Sequence, residues 1–259
     1  MLDKKKRYLQ IALNNTLEEA RNIIGQIPLD GRIIIEAGTP LIKDYGSYGI
    51  KQIRRWWEQR IFEQIAFSPI FYQTKSPLLN LLVQSSKIKI KKTQKIIEKN
   101  LTPYIIADLK CMDRGETEVM IAKAGGADAA TCLGQAPIET INAFIEKCES
   151  LNLDSMIDMM NVDFPLNVLR QLKKLPQVVI LHRGVDEESF NPEKEIPFHE
   201  IQRIKSNYDI MISIAGGDTF SEVQRAIFND ADIVVVWKSF YKSTIQTAKL
   251  AEEFLKEIR

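Results

Sequence analysis

Short apolar runs rich in β-branched residues alternate along the chain with stretches in which apolar positions recur every three or four residues. The runs are Tyr8 to Leu13, Arg32 to Ile35, Tyr104 to Ala107, Ala127 to Cys132, Asp154 to Asp158, Val178 to Leu181, Ile210 to Ile214 and Ile233 to Val236, which predicts eight strands. Between them lie amphipathic stretches that predict helices. In the first, Thr16 is placed to cap and Glu19 to close a capping box. Others cover residues 116–124, 137–151, 165–174, 221–228 and 243–258. Eight strands, each followed by a helix, predict an α/β fold: a (β/α)8 TIM barrel, with residues 1–259 as one domain. The competing arrangement is an open doubly wound sheet, which more often carries a glycine fingerprint after its first strand. The turn here reads Asn14-Asn15-Thr16.

The rhythm breaks once. Glu36 and Ala107 are 71 residues apart, where one helix and two loops need far fewer, so the second β/α unit carries an insertion at about 51–92. Ile50, Ile53, Trp57, Ile61 and Ile65 recur at helical spacing and predict a helix over 49–66 with a basic face; a second helix is expected over 87–99. The insertion is read as a mainly helical decoration that buries Trp56, Trp57, Phe62, Phe67, Phe71 and Tyr72 against the barrel or a dimer partner. The sharper reading is a basic, aromatic docking surface for an acidic protein, nucleic acid or lipid.

Composition refines this picture. A 45% hydrophobic chain fills a core, and 27% charged residues exclude a disordered tail protein. The net charge of +1 argues against a surface that grips nucleic acid as a whole. The total hides a split, because residues 51–92 hold nine basic against two acidic side chains, a local +7 that leaves −6 elsewhere. Cys111, Cys132 and Cys148 have neither zinc-site nor disulfide-framework spacing and read as reduced thiols. Asn14 and Asn15 interrupt the first apolar stretch too soon for a signal peptide, and no run approaches the ~20 apolar residues of a membrane span. A soluble cytoplasmic protein is expected.

A barrel puts its chemistry on the loops after the strands. Strand two ends in Glu36 and strand three in Asp108, two carboxylates suited to one hard divalent cation such as Mg2+. Lys110, two residues beyond Asp108, projects to the same side of an extended backbone and can move a proton or steady an oxyanion. Asp113, Asp158 and His182 complete a set of polar strand-end residues; His199 is read as a surface residue of a later helix. Gly216 and Gly217 after strand seven, with Lys238 after strand eight, fall where this fold usually seats a phosphate.

At these residues the sequence resembles the orotidine 5'-monophosphate decarboxylase superfamily, within it the branch of 3-hexulose-6-phosphate synthase and 3-keto-L-gulonate-6-phosphate decarboxylase. The carrying segments are Leu9-Gln10-Ile11-Ala12-Leu13, Glu36-Ala37-Gly38-Thr39-Pro40-Leu41-Ile42-Lys43, Ala107-Asp108-Leu109-Lys110-Cys111-Met112-Asp113, Leu181-His182-Arg183-Gly184-Val185-Asp186 and Ala215-Gly216-Gly217. The resemblance implies Mg2+ on Glu36 and Asp108, a proton carrier at His182, an acidic partner at Asp158, and a homodimer in which Asp113 reaches the neighbouring site. It implies an enediolate reaction on a ketose phosphate, most like ribulose 5-phosphate attacking formaldehyde. The alternatives are the keto-gulonate-phosphate decarboxylase and a catalytically silent sugar-phosphate-binding barrel acting as scaffold or regulator.

The sequence departs from that pattern at four places. Asn14 stands where the family has an aspartate, keeping hydrogen bonding at a substrate-binding position without the charge. Trp237 replaces a glycine, and Lys238 stands in for a phosphate-binding arginine without its bidentate fork. Val185 occupies the place of the decarboxylase branch's second arginine.

Overall fold

A computed structural model describes residues 1–66, 101–242 and 247–258. Eight parallel strands close in sequence order into a barrel: β1 (Tyr8–Leu13), β2 (Ile33–Ala37), β3 (Ile105–Cys111), β4 (Ala129–Leu133), β5 (Asp154–Asp158), β6 (Val178–His182), β7 (Met211–Ala215) and β8 (Ile233–Val236). The helices are α1 (Leu17–Gln26), α2 (Thr39–Ala66), α3 (Gly115–Gly125), α4 (Ile138–Ser150), α5 (Pro165–Gln171), α6 (Val185–Phe190), α7 (His199–Lys205), α8 (Phe220–Phe228), α9 (Lys238–Lys242) and α10 (Thr247–Glu257). The barrel expected from the alternation is the one found. The helices α6 and α9 are not among those the alternation predicts, their five or six residues being too short to show a helical period.

The two-residue strand period sorts the core into two parts. Tyr8, Ala12, Ile34, Ile106, Met156, Val178 and Ile180 pack inside the barrel. Leu9, Ile11, Ile35, Ala107, Ile157 and Val179, one position out of step, pack against the helices. Thr16 starts α1 as expected, its Oγ1 accepting from Glu19 N at 3.2 Å while Glu19 accepts from Thr16 N at 3.3 Å. Among the described residues no helix is long and apolar enough to cross a membrane.

The helix expected over 49–66 is found, as part of a longer one. Helix α2 begins at Thr39, bends at Gly46 (φ 58°) and runs on to residue 66. Ile50, Ile53, Trp57 and Ile61 are buried. Ile50 packs on Gly125, where a Cβ would come within 2.7 Å of it, and the Arg54 guanidinium donates to Gly126 O and, at 2.8 Å, to Asp128. Residues 51–66 thus continue the helix that follows β2, and its buried face packs against the barrel. Trp56 is partly buried and Phe62 is exposed. Phe67, Phe71, Tyr72 and the helix expected over 87–99 lie outside the described residues.

Candidate active site

The inward series of several strands ends in a polar residue at the C-terminal mouth. Glu36 follows Ile34, Asp108 follows Ile106, Asp158 follows Met156 and His182 follows Ile180. These four, with Gln10, Asn14, Thr39, Lys110, Thr131, Gly216, Gly217 and Trp237, line a cavity of about 420 Å3. Strand β3 reaches it through an irregularity. Its register with β4 shifts between Ala107 and Cys111, and Lys110 adopts a left-handed backbone, φ 47°. The extended geometry expected for Lys110 is thus replaced by a bulge, held by the Lys110 N–H donating to Thr131 Oγ1 at 3.2 Å. Holding a lysine there costs on the order of 1 kcal/mol, a strain that tends to gather at functional sites.

The Lys110 ammonium lies 2.9 Å from Asp108 Oδ2 and 2.9 Å from Asp158 Oδ2. Burial opposes its charge, but the two carboxylates outweigh burial and raise its pKa above the ordinary lysine value. Asp158 Oδ2 also sits 2.8 Å from His182 Nδ1. Burial works against the Asp158 carboxylate, yet His182 and Lys110 hold it ionised, well below the usual carboxylate range. For His182, burial favours the neutral ring, and Asp158 reverses this so that the imidazole titrates above its usual value. With Nδ1 committed to Asp158, Nε2 keeps no protein partner among the described residues.

Asp108 is fixed on both oxygens, by Thr131 Oγ1 at 2.6 Å and Thr39 Oγ1 at 2.8 Å. Among the described residues Glu36 has one hydrogen bond, donated by Gln10 Nε2. Burial and then the Asp108 charge push Glu36 up to about 7. Two buried carboxylates that repel each other beside neutral oxygen donors are a donor set that fits Mg2+, which takes one or two carboxylates and leaves the other positions to water or substrate oxygens. Among the described residues no cluster of three or more His, Cys, Asp or Glu able to hold a metal is present, and the candidate ligands are this pair.

The opposite rim belongs to the loops after β7 and β8. Gly216 has φ 92°, and a Cβ there would lie 2.1 Å from Arg183 O. Arg183 donates to Gly216 O at 2.7 Å and to Glu222 at 3.0 Å, tying β6, the β7 loop and α8 together. Asp218 accepts from Trp237 N at 2.9 Å and Ser239 N at 2.7 Å, joining the two loops. Asn14 donates its N–H to Tyr241 OH at 3.0 Å, and its side chain packs where a Cβ on Gly38 would fall.

Two candidates lie off the cavity wall. Lys238 pairs with Glu188 and lies over the Trp237 ring, 5.7 Å from its centroid, so its charge is already balanced within the protein. Asp113 is exposed after β3. Conversely, Gln10, Thr39, Thr131, Arg183 and Asp218 are wall residues that the strand-end reading did not select. Gln10 carried a usable signal, as the one polar residue within the run Tyr8–Leu13. His199 is exposed at the start of α7, and all three cysteines are buried free thiols.

The family described as orotidine 5'-phosphate decarboxylase / HUMPS matches residues 7–253. Similar proteins include the bifunctional enzyme Fae/Hps of Methanocella arvoryzae, 34% identical over 236 residues, covering 90% of this chain and 48% of that protein. The chain thus spans about half the length of the curated relatives it matches. Among solved structures, 3-hexulose-6-phosphate synthase from Salmonella typhimurium superposes with a TM-score of 0.68 at 22% identity, over 97% of this chain and 100% of that one. KGPDC from Streptococcus mutans gives 0.67 at 18% identity, over 98% of this chain and 97% of that one.

Proposed function

Because this chain belongs to the orotidine 5'-phosphate decarboxylase / HUMPS family, we propose that it is a lyase of the 3-hexulose-6-phosphate synthase type, joining ribulose 5-phosphate to formaldehyde through an enediolate and able to run in reverse. The observation that carries the reading is the fixed quartet Asp108–Lys110–Asp158–His182 on the floor of one cavity. Glu36 and Asp108 would hold Mg2+, which when bound supplies Lewis-acid polarisation of the ketose carbonyl. His182 takes and returns the proton at Nε2, since Asp158 fixes the ring through Nδ1 and favours its protonated form. Lys110, held charged between two carboxylates, is assigned to electrostatic support of the developing oxyanion; a group whose pKa is raised this far is a poor proton carrier. Asn14 and the backbone of Gly216 and Gly217 are assigned to the sugar phosphate. The apolar Val185 on the cavity wall favours the synthase over the decarboxylase reading. The same reading assigns Asp113, exposed after β3, to a second copy's cavity in a homodimer.

The test is formaldehyde consumption with Mg2+ and ribulose 5-phosphate. Wild type is expected to consume formaldehyde, and Asp108→Ala, which loses a metal ligand and the Lys110 contact, is expected to fall by ~10^3-fold or more. No consumption by folded, Mg2+-supplied wild type would overturn the assignment.

A further inference from the structure

Gln10 is 1% exposed, yet among the described residues its Oε1 has no hydrogen-bond partner. Its inward neighbours, Tyr8 and Ala12 on β1 and Ile34 opposite it on β2, are apolar, a setting that suits an unbranched apolar side chain of the same length. A buried amide with an orphaned carbonyl lowers stability relative to such a residue. The other half of the amide is engaged: Nε2 donates to Glu36, and this is the one protein hydrogen bond Glu36 makes among the described residues. Asp108, by contrast, is held by Thr39, Thr131 and Lys110. Register explains the reach. Ala12 is opposite Glu36 across β1 and β2, so Gln10 lies one inward step below it and extends upward along the barrel axis.

Resting on the metal assignment above, we propose that Gln10 is the positioning residue for the cation: it fixes the rotamer of Glu36 so that its carboxylate faces Asp108 across the cavity floor. The amide is then kept for the site at some cost to the fold, as outer residues that orient metal ligands commonly are. Ser213 supplies the internal comparison. Its Oγ is also buried and without a partner, but it does not line the cavity.

The experiment uses the full chain without substrate and reads Mn2+ binding by electron paramagnetic resonance, with thermal melting of the metal-free protein alongside. Gln10→Met is expected to melt at or above the wild-type temperature and to bind Mn2+ ~10-fold or more weakly, within the range seen when such supporting residues are removed. Ser213→Ala is expected to stay within about twofold of wild type, since it supports no ligand. Gln10→Leu repeats the test with a shorter side chain. Equal Mn2+ affinity in wild type and Gln10→Met overturns the proposal and leaves the proposed function standing, as does failure of both Gln10 variants to fold, which would make the amide structural. No Mn2+ binding by wild type overturns this proposal together with the metal assignment.

Discussion

Asp158 serves two cations at once, and that gives the cluster a pH signature. Its folded pKa is depressed, so its contribution to stability is present above the unfolded value near 4 and is lost as pH falls through the folded one. The His182 pKa is raised, so its contribution is complete below the unfolded value near 6.5 and is lost as pH rises through the folded one. The pair stabilises the fold most between about pH 4 and 6.5. His182→Gln should therefore cost about 2 kcal/mol near pH 5.5 and progressively less as the pH rises above the ordinary histidine value, by urea denaturation at each pH. A loss independent of pH would contradict the assigned ion pair. At the glycines, Gly216→Ala should cost about 2–4 kcal/mol, because its Cβ meets the Arg183 backbone at a positive φ. Gly38→Ala should cost less, and Asn14→Ala in the same chain should relieve it, because the nearest clash, 1.9 Å, is with the movable Asn14 amide. Equal losses at the two positions would refute this distinction. Among the site residues, the strand period made Glu36, Asp108, Asp158 and His182 legible in the sequence. The Lys110 bulge was not, because it depends on a cross-strand hydroxyl, and neither was the neutralisation of Lys238, whose partner Glu188 is 50 residues away.

At the scale of elements, α2 shows what spacing reads well and what it leaves open. The helical period through Ile50, Ile53, Trp57 and Ile61 was visible in the sequence, and the face it marks is buried, while the choice between the barrel and a dimer partner as its cover was open. Helical period records a buried face without naming the surface that buries it. The contacts with Gly125, Gly126 and Asp128 supply that name. Trp57→Ala should therefore cost about 3–5 kcal/mol, whereas Phe62→Ala, at a position 68% exposed, should stay within about 0.5 kcal/mol. Comparable effects by thermal or chemical melting would mean that α2 past Gly46 is not integral to the barrel. In the loops, Asp218→Ala should cost about 1.5–3 kcal/mol, since its carboxylate holds two backbone N–H groups of the β8 loop.

For the whole molecule, closure of eight strands brings side chains from residue 10 to residue 237 to one mouth. The near-neutral total charge concealed this, because acidic residues of the cavity floor were offset by basic ones between 51 and 92. The relatives that carry Fae/Hps names are about twice this chain's matched length, so the barrel is to be assayed by itself. The most direct test is exchange of the carbon-bound hydrogen next to the carbonyl of ribulose 5-phosphate in D2O with Mg2+ and no aldehyde, followed by NMR. The account predicts exchange by wild type, and a drop of ~10^2-fold or more in His182→Gln, which should still bind the sugar phosphate. Wild type that binds ribulose 5-phosphate yet exchanges no hydrogen above the buffer rate would contradict it, leaving a sugar-phosphate-binding barrel without the chemistry.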